Sequence, residues 1–239
     1  MTQLGGHALF LSDRDSQIGR GEPIHDTAKV LSRYVDGIMI RTFGHEEVEE
    51  LSRHSSVPVI NGLTDLLHPC QVVADLQTIA EEFGPNYPER TVAWIGDGNN
   101  VCNSLIFGCS KTQTDIVIAT PKGFEPNPEV VKKASENTTI DLTTDPESAV
   151  KDADIVMTDT FTSIHTSDPK RTEKFLPSFQ VNESLMEKAK NDAIFMHCLP
   201  AKRDQEVTSA VIDGSQSVVW DQAENRLHSQ KALLSSLSI

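Results

Sequence analysis

The sequence predicts an α/β fold built on parallel sheets. Short apolar runs, such as residues 91–95 and 115–119, alternate along the chain with longer segments whose apolar residues recur at helical spacing. Polar clusters follow several of these runs directly, as after residues 193–196. Because the carboxyl ends of parallel strands lie at one edge of a sheet, the polar residues are expected to line a single cleft.

Length and composition narrow the class of protein. The chain has 239 residues, of which 38% are hydrophobic, enough to form a sizeable buried core. Its formal net charge of −14 argues against nucleic acid as the main partner, because phosphate backbones are bound by surplus lysine and arginine. Any phosphate group that binds must therefore meet a local pocket of positive charge.

Cysteine content and hydropathy indicate where the protein works. Four cysteines without a CxxC pair suggest neither a disulfide framework nor a zinc site, and they favour a reducing compartment. No apolar run approaches the roughly 18 to 20 residues that span a bilayer, and residues 1–6 lack the features of a signal peptide. We therefore expect a cytoplasmic protein that binds neither membrane nor nucleic acid.

The first part of the chain is predicted to repeat strand and helix units as far as Gly84. The predicted strands cover residues 8–11, 35–40 and 57–61. Asp26 is expected to cap the first helix, and Val48 and Leu51 form the apolar stripe of the second. Pro69 suits the first position of a third helix. The buried face of that helix is expected to carry Val72, Val73, Leu76, Ile79 and Phe83.

A turn-rich stretch at residues 84–88 marks the predicted domain boundary. Beyond it, the predicted strands cover residues 91–95, 115–119, 154–157, 193–196 and 218–220. Helices are expected after Asn127, after Asp145, over residues 182–190 and after Asp221. The polar segment 166–180 is predicted to be a mobile flap rather than a core element.

Several chemically active side chains follow the predicted strands. Cys198 comes directly after strand 193–196, and a thiol beside an imidazole can act as base or nucleophile if nearby cations lower its pKa. A buried structural cysteine is the simpler alternative. His68 and Gln71 flank a helix start, where free N–H groups favour an anion. Asp159 follows another strand, so its carboxylate is expected to point into the same cleft.

Residues 96–100, Gly-Asp-Gly-Asn-Asn, superficially match a dinucleotide-binding fingerprint. The third glycine is missing and no acidic residue ends the next strand, so a nucleotide site is disfavoured. Asn100 instead offers an acceptor and donors to the α-carboxylate and α-amino groups of an amino acid. Asn99 is expected to hold the turn.

These stretches, together with Glu224-Asn225-Arg226, resemble the ornithine carbamoyltransferases of the aspartate/ornithine carbamoyltransferase family along the whole chain. The resemblance implies carbamoyl transfer from carbamoyl phosphate to the side-chain amine of L-ornithine, giving L-citrulline and phosphate, with no metal or organic cofactor. It also implies two Rossmann-like domains, the first one incomplete. Residues 1–84 would bind carbamoyl phosphate and residues 85–220 ornithine, with a helix at 221–237 packing back on the first domain.

The resemblance also assigns residues to each substrate. The carbamoyl phosphate set is Gln17, Arg41, His68, Gln71, Cys198, Leu199 and Arg226. The ornithine set is Asn100, Asp159, Ser163 and Ile164. Cys198 would be the catalytic residue. The loop that carries Gln17 would reach the site of a neighbouring subunit, which implies a homotrimer.

Two departures from the family pattern keep alternatives open. Residues 163–165 read Ser-Ile-His where the family has Ser-Met-Gly, so one alternative is a carbamoyltransferase for another amine. The family's phosphate-wrapping motif, Ser-Thr-Arg-Thr-Arg, lies upstream of the position that Met1 matches. We therefore expect an amino-terminally shortened chain with impaired turnover. A catalytically inactive binding or subunit-modulating homologue is the second alternative.

Overall fold

Two parallel sheets organise the structure, a computed structural model that describes residues 1–12, 21–162 and 170–237. In the smaller sheet β1 (Ile38–Arg41) pairs with β2 (Val59–Leu63). The larger sheet has the order β5-β4-β3-β6-β7, and every neighbouring pair is parallel. Its strands are β3 (Thr91–Ile95), β4 (Asp115–Ala119), β5 (Ile140–Thr143), β6 (Ile155–Thr158) and β7 (Ile194–His197). The predicted α/β class with parallel sheets is confirmed.

Helices connect the strands, as parallel pairing requires. The α-helices of the described ranges are α1 (Ile24–Leu31), α2 (His45–His54), α3 (Pro69–Phe83), α4 (Asn100–Thr112), α5 (Pro128–Ala134), α6 (Pro146–Val150), α7 (Glu183–Met186), α8 (Ser209–Ile212) and α9 (Val219–Ser236). A 3-10 helix, Gly84–Glu89, occupies the predicted break. None of the helices in these ranges is long and apolar enough to cross a bilayer.

Local capping signals set several boundaries where they were predicted. The Asn127 side chain accepts hydrogen bonds from the backbone N–H groups of Glu129 and Val130 and starts α5. Asp145 caps α6 in the same way. Gly84 ends α3 with φ of 69° and ψ of −160°, a combination that is open to glycine and strained for other residues.

The strand order of the larger sheet creates the crevice of interest. The chain runs from β3 outward through β4 and β5, and then returns to the other side of β3 as β6 and β7. Crossovers therefore leave the carboxyl ends of β3 and β6 in opposite directions, which opens a gap at that edge. Residues that follow β3, β6 and β7 meet at this gap.

The core lies on both faces of the larger sheet. Along β3, Trp94 packs into one apolar cluster and Ile95 into the other, and both side chains are fully buried. Val72 and Ile79 of α3 belong to the cluster around Trp94. Helix α3 therefore contributes to the core of the larger sheet, where it packs against α4 and α9, although it precedes the predicted domain boundary.

Four local expectations are wrong. Residues 8–11 form no strand, because they pair with no strand of the described ranges, and the Phe10 side chain is 91% exposed. Pro23 rather than Asp26 precedes α1. Residues 218–220 form no strand; instead α9 begins at Val219, so the helix expected at 221–237 starts earlier. On α3, Val73 is exposed because it faces away from the core.

Part of the predicted flap is core. Phe175 and Phe179 are buried, and the Phe175 ring stacks on Phe161 with ring centroids 4.4 Å apart. The expectation for residues 166–180 is therefore wrong for their described second half. Buried aromatic side chains contribute strongly to the stability of a core, so they hold this segment in place although its composition is polar.

Candidate active site

Asp159 is the polar centre of the cleft at the ends of β3, β6 and β7. Its side chain is buried and accepts hydrogen bonds from Asn99 Nδ2 at 2.7 Å and from the backbone N–H of Thr160 at 2.7 Å. The Cys198 thiol donates to Asp159 Oδ1 at 3.1 Å. The predicted meeting of strand ends thus places a carboxylate against the thiol.

The Cys198 thiol is not poised to ionise. Burial raises its pKa well above the ordinary value, and the charge and hydrogen bond of Asp159 raise it further, while Arg226 opposes them weakly. The condition for a reactive thiolate, a pKa lowered by nearby cations, is therefore not met, because the effect of Arg226 is outweighed. At neutral pH the sulfur is a thiol that keeps its proton and donates a hydrogen bond to Asp159.

His197 and Leu199 hold the end of β7 in place. The Leu199 N–H donates to His197 Nδ1 at 2.9 Å, and His197 Nε2 lies 3.2 Å from Glu206 Oε1. Leu199 has φ of 53°, in the left-handed region that non-glycine residues seldom adopt. The ligand atoms of Asp159, His197 and Cys198 lie within 4.8 Å of one another. Both His197 nitrogens are already engaged, so this trio is better described as a hydrogen-bonded group than as a metal site.

His68 is the residue directly before α3, and its side chain is an uncharged imidazole. Its backbone N–H donates to Ser104 Oγ at 2.6 Å, but its side chain makes no capping hydrogen bond, and Nδ1 is buried without a partner among the described residues. Burial lowers the pKa of His68 to about 4, helped by the charges of Arg226 and Arg41. The imidazole is therefore neutral at pH 7, and no hydrogen bond from the described residues engages its ring nitrogens.

Gln71 and Arg226 lie beside this ring. Arg226 Nη1 donates to Gln71 Oε1 at 2.5 Å, which joins α9 to the first turn of α3. Arg41 lies at the end of β1 and is exposed. Two guanidinium groups and the start of a helix thus place positive charge around His68. This combination favours the binding of a phosphate.

The two asparagines after β3 have different partners. Asn99 caps α4 by accepting from the N–H groups of Val101 and Cys102, as expected for a residue that holds the turn, and it also donates to Asp159. Asn100 Nδ2 donates to the Thr64 carbonyl at 2.7 Å and so faces the connection between β2 and α3. Sequence reasoning missed the link from Asn99 to Asp159.

Gln17, Ser163 and Ile164 lie outside the described residues. The described residues on either side of 163–169 are anchored to the cleft, since Lys202 Nζ donates to the Thr162 carbonyl at 2.9 Å. Arg171 pairs with Asp97 after β3, and its Nε donates to the Phe161 carbonyl at 2.9 Å. Neither cation was predicted, because no local motif distinguishes them from surface charges.

The chain matches two domain profiles in succession. Residues 1–81 match the carbamoyl-P binding domain of aspartate/ornithine carbamoyltransferase, and residues 88–237 match the Asp/Orn binding domain of the same enzymes. An ornithine carbamoyltransferase from Cenarchaeum symbiosum is 60% identical over 239 residues, which cover 100% of this chain and 79% of that protein. One from Oceanobacillus iheyensis is 57% identical, over 98% of this chain and 74% of that protein.

Solved structures give the same result. The ornithine carbamoyltransferase of Pyrococcus furiosus superposes with a TM-score of 0.93 at 51% identity, covering 98% of this chain and 77% of that one. The enzyme of Thermus thermophilus has a TM-score of 0.89 at 44% identity, over 99% and 78% of the two chains. Identity and shape therefore agree over nearly the whole of the chain.

Proposed function

Because the chain belongs to the aspartate/ornithine carbamoyltransferase family, we propose that it transfers the carbamoyl group of carbamoyl phosphate to the side-chain amine of L-ornithine, giving L-citrulline and phosphate. The observation that carries the proposal is the pairing of two unlike half-sites. A neutral imidazole lies near two guanidinium groups on one side, and the Asp159 carboxylate bonds the Cys198 thiol on the other.

The first half-site suits carbamoyl phosphate. Arg41 and Arg226 would neutralise the phosphate, and the start of α3 adds the positive end of the helix dipole. Neutral His68 would donate a hydrogen bond to the carbonyl oxygen, where negative charge develops as the amine attacks. Gln71 would bind the carbamoyl amino group through Oε1, and the Cys198 and Leu199 backbone would complete the cradle.

The second half-site suits the amine. Asn100 would bind the α-carboxylate and α-amino groups, with Ser163 and Ile164 beside the substrate. Asp159 and Cys198 would hold the side-chain amine and help it lose a proton. The amine nitrogen then bonds to the carbonyl carbon, the bond from that carbon to the phosphate oxygen breaks, and phosphate leaves. Holding both substrates in one cleft supplies much of the rate.

Citrulline formation from ornithine and carbamoyl phosphate tests the proposal. Residues 1–239 contain no Ser-Thr-Arg-Thr-Arg motif, so the assay includes the chain itself and the chain preceded by a family segment that carries the motif. Citrulline from either protein supports the proposal, and absence from both would overturn it. Carbamoylation of putrescine or acetylornithine in place of ornithine would favour the other-amine alternative, which the departure at residues 163–165 motivates.

Replacing Cys198 with alanine is expected to lower kcat for ornithine by about tenfold. The change removes one hydrogen bond to a charged acceptor, which is worth about 1.5 kcal/mol. Cys109→Ala is the matched control, because Cys109 is buried in the core cluster around Trp94 and should leave kcat unchanged. Thermal unfolding of both variants checks folding, and an unchanged kcat in the Cys198 variant would count against its role.

We also propose the domain division and assembly that the family implies. Residues 1–84 would form the carbamoyl phosphate domain and residues 85–220 the ornithine domain. Helix α9 would join them, because Asn225 Nδ2 donates to Thr78 Oγ1 of α3 at 3.0 Å. The working compartment would be the cytoplasm.

A trimer is the expected assembly in solution, because the loop that carries Gln17 would complete a neighbour's site in a closed ring. Light scattering at high protein concentration should give a mass near three times 26.3 kDa. A strictly monomeric mass would contradict the shared site, and Gln17→Ala should then have no effect on activity.

A further inference from the structure

Asp75 is a fully buried carboxylate on α3 that the proposed mechanism leaves unused. It lies one helical turn after Gln71, on the same face. Its Oδ1 accepts two hydrogen bonds, from Gln71 Nε2 at 2.8 Å and from Gln222 Nε2 of α9 at 2.7 Å. Oδ2 is buried without a partner in the described part of the chain. Burying a carboxylate with only one hydrogen-bonded oxygen lowers the stability of the fold, so Asp75 is expected to serve a function in compensation.

The first bond orients the Gln71 amide. Gln71 Oε1 accepts from Arg226, and its Nε2 donates to Asp75, so both ends of the amide are assigned. A flipped amide would present an N–H to a guanidinium and a carbonyl oxygen to a carboxylate, and both contacts are repulsive. Asp75 thereby keeps Oε1 as the acceptor beside Arg226.

The second bond reaches the other half-site. Gln222 Nε2 donates to Asp75, and Gln222 Oε1 accepts the backbone N–H of His197 at 2.9 Å. His197 directly precedes Cys198. One oxygen of Asp75 therefore connects, through two buried amides, the start of α3 and the end of β7.

We propose that Asp75 is a positioning residue that sets the Gln71 amide for carbamoyl phosphate and, through Gln222, fixes the strand end that carries Cys198. The proposal deepens the proposed function and rests on it for the role of Gln71. Asp75 touches no substrate in this scheme. It acts by holding two amides that would otherwise be free to rotate.

The electrostatic surroundings are consistent with this role. Burial raises the pKa of Asp75 to about 6, the hydrogen bonds from Gln222 and Gln71 and the charge of Arg226 oppose that rise, and Asp159 adds to it. Asp75 in turn raises the pKa of Cys109 on α4 and of Cys198 after β7. A change of protonation at Asp75 is therefore expected to be felt at both amides.

Two substitutions separate hydrogen bonding from charge. Asp75→Leu removes the acceptor, whereas Asp75→Asn keeps an oxygen for both amides and removes the charge. We expect the leucine variant to raise the KM for carbamoyl phosphate at least tenfold and the asparagine variant to recover most of that loss. Glu82→Gln, an exposed change on the same helix, is the control and should keep the parental KM. A parental KM in a folded leucine variant would overturn the proposal.

A second measurement needs no turnover and remains decisive if the leucine variant fails to fold. In the NMR spectrum of the chain, the side-chain amide signals of Gln71 and Gln222 should titrate together with one midpoint near pH 6. Both titrations should vanish in Asp75→Asn. Separate midpoints, or titration that survives the substitution, would overturn the proposal. Absence of citrulline from both the chain and the chain preceded by the family segment would instead overturn the proposed function, while a common titration would still support positioning by Asp75.

Discussion

Replacing Asp159 with asparagine is expected to lower kcat/KM for ornithine by about a hundredfold. The carboxylate carries the negative charge that faces the Cys198 thiol, and it accepts from Asn99 and from the Thr160 N–H. Asparagine removes the charge that would attract the amine and turns an N–H₂ group toward existing donors. Loss of a charge-assisted bond in a buried site costs about 2.7 kcal/mol, which is about a hundredfold in rate.

The measurement is steady-state kinetics with each substrate varied in turn. The KM for carbamoyl phosphate should change little, because the Asp159 side chain is bonded to Asn99, Thr160 and the Cys198 thiol and makes no hydrogen bond to His68, Gln71 or Arg226 in the described residues. Asp213→Asn is the matched control, since Asp213 is exposed and pairs with Arg203 on the surface. An equal loss for both substrates would show that Asp159 supports the fold of the cleft rather than the amine.

Unfolding free energy is expected to fall by about 3 kcal/mol between pH 6.5 and pH 4 because of His68. Burial, Arg226 and Arg41 lower the pKa of His68 from 6.5 to about 4 in the folded chain. The unfolded chain therefore takes up a proton at a higher pH than the folded chain does. The contribution of neutral His68 to the free energy of unfolding is fully present above pH 6.5 and is lost as the pH falls to 4. Each tenfold difference in proton affinity between the two states corresponds to about 1.4 kcal/mol.

Urea unfolding at a series of pH values checks this. The His68→Gln variant should lack the fall in unfolding free energy that is due to His68. The His228→Gln variant, which changes a half-exposed residue on α9, should retain it. Comparison with the parent is needed because Asp75 acts in the opposite direction: its raised pKa favours the folded state as the pH falls from 6 toward 4. A His68→Gln variant with the parental pH dependence would contradict the assignment.

The sequence by itself determined the elements whose signals are local. Strands β3 and β4 have the predicted bounds, because short apolar runs that are buried on both faces have few other solutions in an α/β chain. Asn127 and Asp145 cap their helices as expected, since an N-cap needs only its own following residues. The end-of-strand rule also placed Asp159 and Cys198 in one cleft.

Local signals failed where a distant partner decides. Phe175 is buried because it stacks on Phe161, which follows β6, and the polar composition between them concealed this. The predicted strand at residues 218–220 was replaced by the start of α9, which packs along α3. Amphipathic pattern alone does not say which neighbour an apolar face will meet.

Only the tertiary structure decided the ionisation states and the coupling of the site. The Cys198 thiol faces Asp159 and keeps its proton, whereas His68 lies near two guanidinium groups and stays neutral. Asp75 and Gln222 are joined although 147 positions separate them along the chain. Charge and hydrogen-bond energies depend on distances of a few ångströms between side chains and on the burial of those side chains. Neither quantity can be predicted from the residues that are adjacent in the sequence.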